Sequence, residues 1–233
     1  MTKVYLLALI GAVLVTVGIV ECGWLLLTIW LGLDFLALAI AHWKQAHHLF
    51  GKRPDGTLCL FNRILLLPLL LFTWVTWHLF RILSREPAMA TVTDRLTVGR
   101  RLLQFEVEAR FDNYVDLTAE FSEPIPIRYS SAYLSFPILD ASAPSPEMLC
   151  RVIDRLGPGR TFVHCAQGHG RTGLFAAALL LRSGEALSVD EALRALKNVR
   201  SQIRLNREQL KCLRRFSDQF VTFSHVCKPT VDS

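Results

Sequence analysis

Residues 161–181 read TFVHCAQGHGRTGLFAAALLL, two apolar segments joined by a polar, glycine-rich loop. The first segment, TFV, is aromatic and β-branched, which is typical of a buried strand. The last segment, LFAAALLL, is an apolar run typical of a buried helix. The pattern therefore predicts a strand, then a loop that gathers one cysteine, two histidines and an arginine, and then a helix.

Further strand and helix signals lie on both sides of this unit. Strand-like composition is found at 95–99, 114–119, 132–138 and 161–165. Capping residues and apolar periodicity predict helices at 146–156, 172–182, 188–199 and 206–220. Because strands alternate with helices, the predicted fold class is α/β, with a mainly parallel central sheet flanked by helices. In such sheets the ligand site lies beyond the carboxyl ends of the strands, which is where the loop begins.

The first 83 residues are much more apolar than the rest of the chain. Three runs, at 4–20, 23–41 and 64–80, each approach the roughly 20 apolar residues that cross a bilayer core. The first run differs from a signal peptide, because no small-residue cleavage site precedes Glu21 and a second apolar run follows at once. We therefore expect residues 1–83 to form a transmembrane α-helical domain of two or three spans, preceding the α/β domain.

Basic side chains flank the third run, with four lysines and arginines in 44–63 and two more in 81–85. The positive-inside rule places both groups in the cytoplasm, but a complete third span would separate them. Since Pro68 interrupts this run, 64–80 could instead be re-entrant or interfacial. In that case 4–41 would be a hairpin in the inner or plasma membrane, and the C-terminal domain would be cytoplasmic.

The composition becomes that of an ordinary globular protein after the apolar runs. Proline and small residues make 84–92 a predicted linker. The segment 93–222 has the size of one domain with its own core, and 223–233 is left as a C-terminal tail.

Charge and cysteine usage restrict the partners and the compartment. The formal net charge of +6 suits contact with anionic lipid headgroups or phosphorylated substrates, and equally suits retention of loops on the cytoplasmic side. The absence of a basic stripe or recognition motif argues against nucleic acid as a partner. The six cysteines lack paired spacing, which argues against a disulfide framework and for a reducing compartment.

The loop has the composition of an anion-binding site. A loop that feeds a helix N-terminus collects unpaired backbone N–H groups and the positive end of the helix dipole. Gly168, Gly170 and Gly173 allow the backbone to curl so that successive N–H groups point inward. Arg171 adds a planar fork of donors that fits two phosphate oxygens. These positive surroundings favour the thiolate of Cys165, which could attack phosphorus and form a phosphocysteine.

The residues His164-Cys165-x-x-Gly168-x-x-Arg171-Thr172 resemble the HCxxGxxR(S/T) signature of cysteine-dependent protein tyrosine phosphatases, and the compact chain resembles their dual-specificity branch. The resemblance implies that Cys165 is the nucleophile and that Arg171 holds the phosphate and the transition state. It implies that Thr172 donates a hydrogen bond to the cysteine sulfur and that His164 orients the loop. The remaining loop residues would bind phosphate mainly through their backbone N–H groups: Ala166, Gln167, Gly168, His169 and Gly170.

The family also uses a carboxylic acid to protonate the leaving oxygen and later to activate water. Asp140, in FPILDASAP, follows a predicted strand and precedes Cys165 by 25 positions on a loop that could close. Asp154 is the alternative, but its predicted position is in the middle of a helix.

Other interpretations of these residues are open. His164, Cys165 and His169 could bind zinc, but no second Cys/His pair completes four ligands, so neither a metal nor a cofactor is predicted. Gln209 could be similar to the glutamine that positions water in larger tyrosine phosphatases, or it could serve only in the capping box of the last helix. Asp34 could be a functional carboxylate within the membrane, or it could take part in polar packing between helices.

Three functions fit the sequence. The first is a membrane-anchored phosphatase acting on phosphotyrosine, with phosphoserine and phosphothreonine as further substrates, in proteins. The second is the same chemistry on a phosphorylated lipid such as phosphatidylglycerophosphate or a phosphoinositide; Ala166, Gln167 and His169 stand where lipid-specific relatives often carry basic residues. The third is a catalytically silent module that binds phosphorylated ligands.

Overall fold

The computed structural model describes residues 2–21, 23–107, 111–130 and 132–221. Two compact units are formed. The N-terminal unit comprises Met1–Arg85 and Ala119–Glu123, and the C-terminal unit comprises Glu86–Thr118 and Pro124–Ser233. Cys22, Cys227 and the predicted tail at 223–233 lie outside the described residues.

The N-terminal unit is helical. Its helices are α1 (Thr2–Glu21), α2 (Leu26–Lys44), α3 (Leu60–Leu65) and α4 (Leu67–Leu83). Two segments, Lys3–Glu21 and Leu27–Lys44, are long and apolar enough to cross a membrane, and few of their residues are buried inside the protein.

Glycines set the contact between α1 and α2. A Cβ atom added to Gly11 would lie 2.7 Å from the carbonyl oxygen of Gly32, and a Cβ atom added to Gly32 would lie 2.8 Å from the carbonyl oxygen of Gly11. Small residues at such a crossing let two helical backbones approach closely, as in membrane helix pairs.

The third apolar run is divided between two helices. α3 ends at Leu65 and α4 begins at Leu67, with Pro68 in its first turn, where a missing N–H group costs no hydrogen bond. The buried Asp34 carboxylate accepts a hydrogen bond from the Leu69 N–H group at 3.1 Å. Asp34 therefore satisfies an otherwise unpaired donor at the start of α4, which is the polar packing role left open by the sequence.

The C-terminal unit is an α/β structure around a five-stranded sheet. Its strands are β1 (Met89–Thr91), β2 (Leu96–Arg100), β3 (Asn113–Thr118), β4 (Tyr133–Ile138) and β5 (Thr161–Cys165), in the order β1-β2-β5-β3-β4. Its helices are α5 (Ile125–Arg128), α6 (Pro146–Ile153), α7 (Gly170–Ser183), α8 (Val189–Val199) and α9 (Arg207–Phe220). Only β1 is antiparallel to its neighbour, so the predicted mainly parallel α/β fold is confirmed.

The strand and helix of the quoted unit form the centre of the core. β5 lies between β2 and β3, with Val163 facing Val98 and Val115 in register. The residues of α7 from Arg171 to Ala178 are all buried, and its three consecutive alanines let the helix pack closely on the sheet. This packing fixes the direction in which the loop between β5 and α7 leaves the sheet.

Some element boundaries differ from the prediction. β1 lies inside the segment predicted as a linker, because Met89–Thr91 pairs with Thr97–Gly99 along the edge of the sheet. α7 begins at Gly170 rather than Thr172, so Arg171 belongs to the helix. α6 ends at Ile153 rather than near residue 156.

Candidate active site

The loop after β5 brings the predicted nucleophile to the centre of the sheet edge. Cys165 is the last residue of β5 and is buried, and the Gly168 N–H group donates a hydrogen bond to its Sγ at 3.2 Å. Gly168 has a φ angle of +76°, and an added Cβ would lie 2.5 Å from the Gly99 carbonyl group. Only glycine fits at 168 without moving β2, so this glycine fixes the curl of the loop.

The loop carbonyl groups are held on the side away from the cysteine sulfur. The Arg101 N–H group donates to the Cys165 carbonyl at 2.8 Å, and Arg200 Nη2 donates to the Gln167 carbonyl at 3.0 Å. In a trans peptide the C=O and N–H groups point in opposite directions. The amide of Gly168 shares its peptide unit with the Gln167 carbonyl, and it points at Sγ. An arrangement of this kind gives an anion-binding nest.

Arg171 is fixed at the floor of the site. Its side chain is 3% exposed, and its Nη1 donates to the Ile138 carbonyl at 3.0 Å, at the end of β4. Its Nη2 lies 3.4 Å from Asp140 Oδ1. The guanidinium group thus lies between the β5–α7 loop and the loop that follows β4.

The two candidate acids lie in different surroundings. Asp140 is the second residue after β4, and its side chain is 81% exposed and next to Arg171. Asp154 is the residue after α6, and its Oδ1 accepts a hydrogen bond from Arg182 Nε at 3.0 Å. The structure therefore brings Asp140, and not Asp154, to Arg171.

Thr172 and His164 are both fully buried. The Thr172 hydroxyl makes no hydrogen bond to any of the described residues, including Cys165. Such a group is rare in a protein interior and calls for an explanation such as a catalytic role. The His164 ring stacks on Phe162 with centroids 5.2 Å apart, and His164 pairs with Gly99 and Asp116 in the neighbouring strands.

An ion pair between the buried Arg200 and the half-buried Glu86, unforeseen from the sequence, supports the loop. Arg200 Nη2 lies 3.0 Å from Glu86 Oε2, and Arg200 Nη1 donates to the Pro87 carbonyl at 2.8 Å. The same Glu86 oxygen lies 2.8 Å from His169 Nε2. Burial lowers the pKa of Arg200, while the nearby charges of Glu86 and Cys165 oppose that effect. Arg200 is a single basic residue after a helix, without a motif around it, so no sequence signal marks it.

The structure bears on the zinc-binding alternative. Within the described part of the chain, His164, Cys165 and His169 do not bring three ligand atoms close enough together to share a metal ion.

The structure also shows the capping role that the sequence allowed for Gln209. Gln209 is buried and forms the capping box of α9 with Asn206. A Cβ atom added to Gly170 would lie 3.0 Å from Gln209 Oε1, so Gln209 also borders the loop.

Comparison with known proteins places this site in a family of phosphatase domains. The family model described as PTP-SAK, Swiss Army Knife protein, DSP-PTPase phosphatase domain, matches residues 74–224. The match covers more than half of the chain, and it begins upstream of the domain boundary predicted at residue 93. No curated protein matches the chain.

Several solved structures resemble the chain. A mouse putative dual specificity phosphatase complexed with zinc tungstate is 18% identical with a TM-score of 0.51, and the match covers 60% of this chain and 94% of that one. PTPMT1 is 18% identical with a TM-score of 0.50, over 59% and 99%. Tk-PTP in its active form is 27% identical with a TM-score of 0.48, over 57% and 98%. The first two matches show that the chain contains the dual-specificity phosphatase fold.

Proposed function

This chain belongs to the Swiss Army Knife family of DSP-PTPase phosphatase domains, and we propose that it hydrolyses phosphate monoesters through a phosphocysteine intermediate. The proposed substrate is phosphotyrosine in proteins, with phosphoserine and phosphothreonine as further substrates. One observation carries the proposal: the Cys165 sulfur accepts the Gly168 N–H group in the loop that leads to Arg171, whose guanidinium group lies 3.4 Å from Asp140.

In the first step the Cys165 thiolate attacks phosphorus, forming an S–P bond while the P–O bond to the substrate breaks. The leaving oxygen takes the proton of the Asp140 carboxyl group, which lies at the exposed side of the site. Arg171 and the loop amides bind the three remaining phosphoryl oxygens. Because these donors are already in place, they stabilise the transition state without reorganisation.

In the second step water replaces the sulfur. The Asp140 carboxylate takes a proton from water, whose oxygen forms the new P–O bond as the S–P bond breaks. The Thr172 hydroxyl is buried without a partner among the described residues, and here it donates to the departing sulfur. Inorganic phosphate leaves, and the thiolate and the protonated Asp140 are restored.

A phosphorylated lipid is the second candidate substrate. Lys3–Glu21 and Leu27–Lys44 are long and apolar enough to cross a membrane, which would keep the site close to a lipid surface, and the net charge is +6. Against this candidate, Glu86 lies 2.8 Å from His169 and offsets any positive charge on that loop histidine. We therefore rank protein above lipid substrates.

We propose that the N-terminal helices anchor the enzyme in a membrane. Their large apolar side chains are exposed in the structure, among them Tyr5, Leu9, Leu27 and Leu33. Exposed apolar surface on this scale needs a lipid or protein partner. With a cytoplasmic catalytic unit, the thiol of Cys165 would lie in a reducing compartment, as its chemistry requires.

The test compares two substrates presented to the full chain in lipid vesicles. Phosphate release is measured from phosphotyrosine peptides and from phosphatidylglycerophosphate in the bilayer, with Cys165→Ser as the matched control. We expect peptide hydrolysis that the substitution abolishes. Faster hydrolysis of the lipid would transfer the assignment to the second candidate, and phosphate release that survives Cys165→Ser would reject the phosphocysteine pathway.

A further inference from the structure

We propose that the N-cap residue of α9 and two side chains of its first turns latch the loop that carries Asp140, which makes Asn206, Gln209 and Cys212 positioning residues for the acid. The inference rests on the proposed function, because it assigns these residues to the reaction in which Asp140 transfers a proton.

The latch consists of three hydrogen bonds to successive parts of the acid loop. Asn206 Nδ2 donates to the Ala141 carbonyl at 2.7 Å. Gln209 Nε2 donates to the Ser142 carbonyl at 3.2 Å. Cys212 Sγ donates to the Pro144 carbonyl at 3.2 Å. Residues three apart lie on the same face of a helix, so the three donors meet three carbonyl groups in the same order along both segments.

Ala141, the residue whose carbonyl group Asn206 holds, has a backbone conformation that needs support from outside the loop. Ala141 has a φ angle of +56°, a left-handed conformation that costs about 1–2 kcal/mol for a residue with a side chain. A strained conformation of this kind persists only where the surroundings fix it. Asn206 bonds the carbonyl group of this very residue, next to Asp140 in the chain. The latch therefore fixes the backbone direction from which the exposed Asp140 side chain projects.

Two of the latch residues use both ends of their amide groups. The Asn206 Oδ1 atom accepts the Gln209 N–H group at 2.9 Å, and the Gln209 Oε1 atom accepts the Asn206 N–H group at 3.1 Å. These oxygen contacts form the capping box of α9. The NH2 groups remain for the acid loop. An amide can both cap the helix through its oxygen and donate to the loop carbonyl through its NH2 group. A carboxylate caps the helix but has no proton to donate, and a serine hydroxyl caps the helix but is too short to reach the loop carbonyl as well.

The same helix end also borders the phosphate-binding loop. Gln209 Oε1 lies where it would be 3.0 Å from a Cβ atom on Gly170, the residue before Arg171. Gln209 thus contacts both halves of the site, the acid loop by a hydrogen bond and the β5–α7 loop by packing. This arrangement keeps Asp140 in line with the Arg171 guanidinium group.

The test uses substitutions that remove the donor and keep the cap. Asn206→Ser and Asn206→Asp both retain a good N-cap residue. The serine variant adds no charge, so it separates loss of the donor from the effect of a new carboxylate. Both variants are assayed in the full chain in detergent with two aryl phosphates, p-nitrophenyl phosphate, which has a good leaving group, and phenyl phosphate, which has a poor one. The poor leaving group needs the proton from Asp140, whereas the good one departs without it.

We expect both substitutions to lower kcat/KM for phenyl phosphate by about tenfold, part of the roughly 10²–10⁴-fold that general acid catalysis supplies. The kcat/KM for p-nitrophenyl phosphate, which reports only the steps up to departure of the leaving group, should change by less than about twofold. The control is Ser188→Ala, which weakens the N-cap of α8 without a contact to the acid loop. It should lower the unfolding temperature and leave the ratio of the two rates unchanged.

Two results would overturn the latch. One is an unchanged ratio of the two rates in both Asn206 variants, and the other is a Ser188→Ala ratio that changes as much as theirs. Both leave the proposed function intact. If the unsubstituted chain hydrolyses neither aryl phosphate, the proposed function fails, and the latch fails with it.

Discussion

Arg171 Nη2 and Asp140 Oδ1 lie 3.4 Å apart, although the guanidinium group is 3% exposed and the carboxylate is 81% exposed. The arginine is held by the end of β4, whereas the aspartate side chain faces solvent. A buried fixed cation and an exposed carboxylate side by side are suited to phosphoryl transfer, because one group binds the anion and the other exchanges protons with water.

If Asp140 is the acid, as proposed, the rate should depend on the leaving group. Asp140→Asn should lower kcat/KM for phenyl phosphate by roughly 10²-fold or more, because the amide cannot give up a proton. For p-nitrophenyl phosphate the loss in kcat/KM should be much smaller. Asp154→Asn is the matched control, since Asp154 bonds Arg182 instead of Arg171. Equal sensitivity of the two aspartate variants would remove Asp140 from the reaction.

Because Arg171 offers a planar pair of donors, we predict that a positive charge alone at this position does not support catalysis. Arg171→Lys keeps the cation but loses the planar pair of donors and the bond to the Ile138 carbonyl. We expect kcat/KM to fall by about 10²–10³-fold for every aryl phosphate, as when one donor to a transition state is lost. Arg182→Lys, near the other end of α7, should leave the rate unchanged. Near-normal activity of Arg171→Lys would show that no bidentate contact is formed.

Because Arg200 is buried and pairs with the half-buried Glu86, its replacement should lower both stability and activity. Arg200→Met leaves the Glu86 carboxylate without its arginine partner, which should cost about 3–5 kcal/mol. It also frees the Gln167 carbonyl, so rates should fall equally for good and poor leaving groups. The double variant with Glu86→Gln should recover part of the stability without the activity. A rate change confined to the poor leaving group would instead connect Arg200 to the acid loop.

Because Cys212 is buried, we predict that the free energy of unfolding falls at alkaline pH. Burial raises the pKa of Cys212 to about 11 from an ordinary value of 9.0. Above pH 9 the unfolded chain loses this proton while the native chain keeps it, so the free energy of unfolding falls as the pH rises towards 11. The contribution is present in full below pH 9, and its loss is on the order of 2 kcal/mol.

The measurement for Cys212 is denaturant unfolding of the full chain in detergent, below pH 9 and near pH 11, beside Cys212→Ser. Serine does not titrate in this range, so the variant should lose less stability with rising pH than the native chain. Parallel losses in the two proteins would mean that the thiol is not protected from ionisation by the fold.

The parts of the site that could be predicted are those set by local sequence. The segment at 161–181 predicts a strand, a loop and a helix because the apolar patterns of a strand and a helix involve residues that are near each other in the sequence. The partners of the loop could not be predicted in this way. Arg200 reaches Glu86 across more than a hundred residues, and Asn206 reaches Ala141 across 65. Such pairs depend on how helices pack onto the sheet, and no periodic pattern in the sequence marks the residues that form them.

The edge strand β1 shows the same limit. Three residues in a segment with a proline and small side chains pair with β2 because the sheet edge is available to them, and not because of their own β-propensity. Similarly, the spacing of Gln209 from Asn206 predicts its capping role. Its second contact, to Ser142, depends on the path of the acid loop.

The most direct test of the phosphocysteine pathway is to trap the intermediate. Trypsin should release residues 161–171 as one peptide, TFVHCAQGHGR, whose only cysteine is Cys165. The Asp140→Asn variant is denatured at mildly alkaline pH during turnover of p-nitrophenyl phosphate, which preserves phosphoryl groups on both sulfur and nitrogen, and the peptide is analysed by fragmentation mass spectrometry. We predict that one phosphoryl group will be found on Cys165. An unmodified peptide throughout turnover, or a phosphoryl group on His164 or His169, would contradict the account.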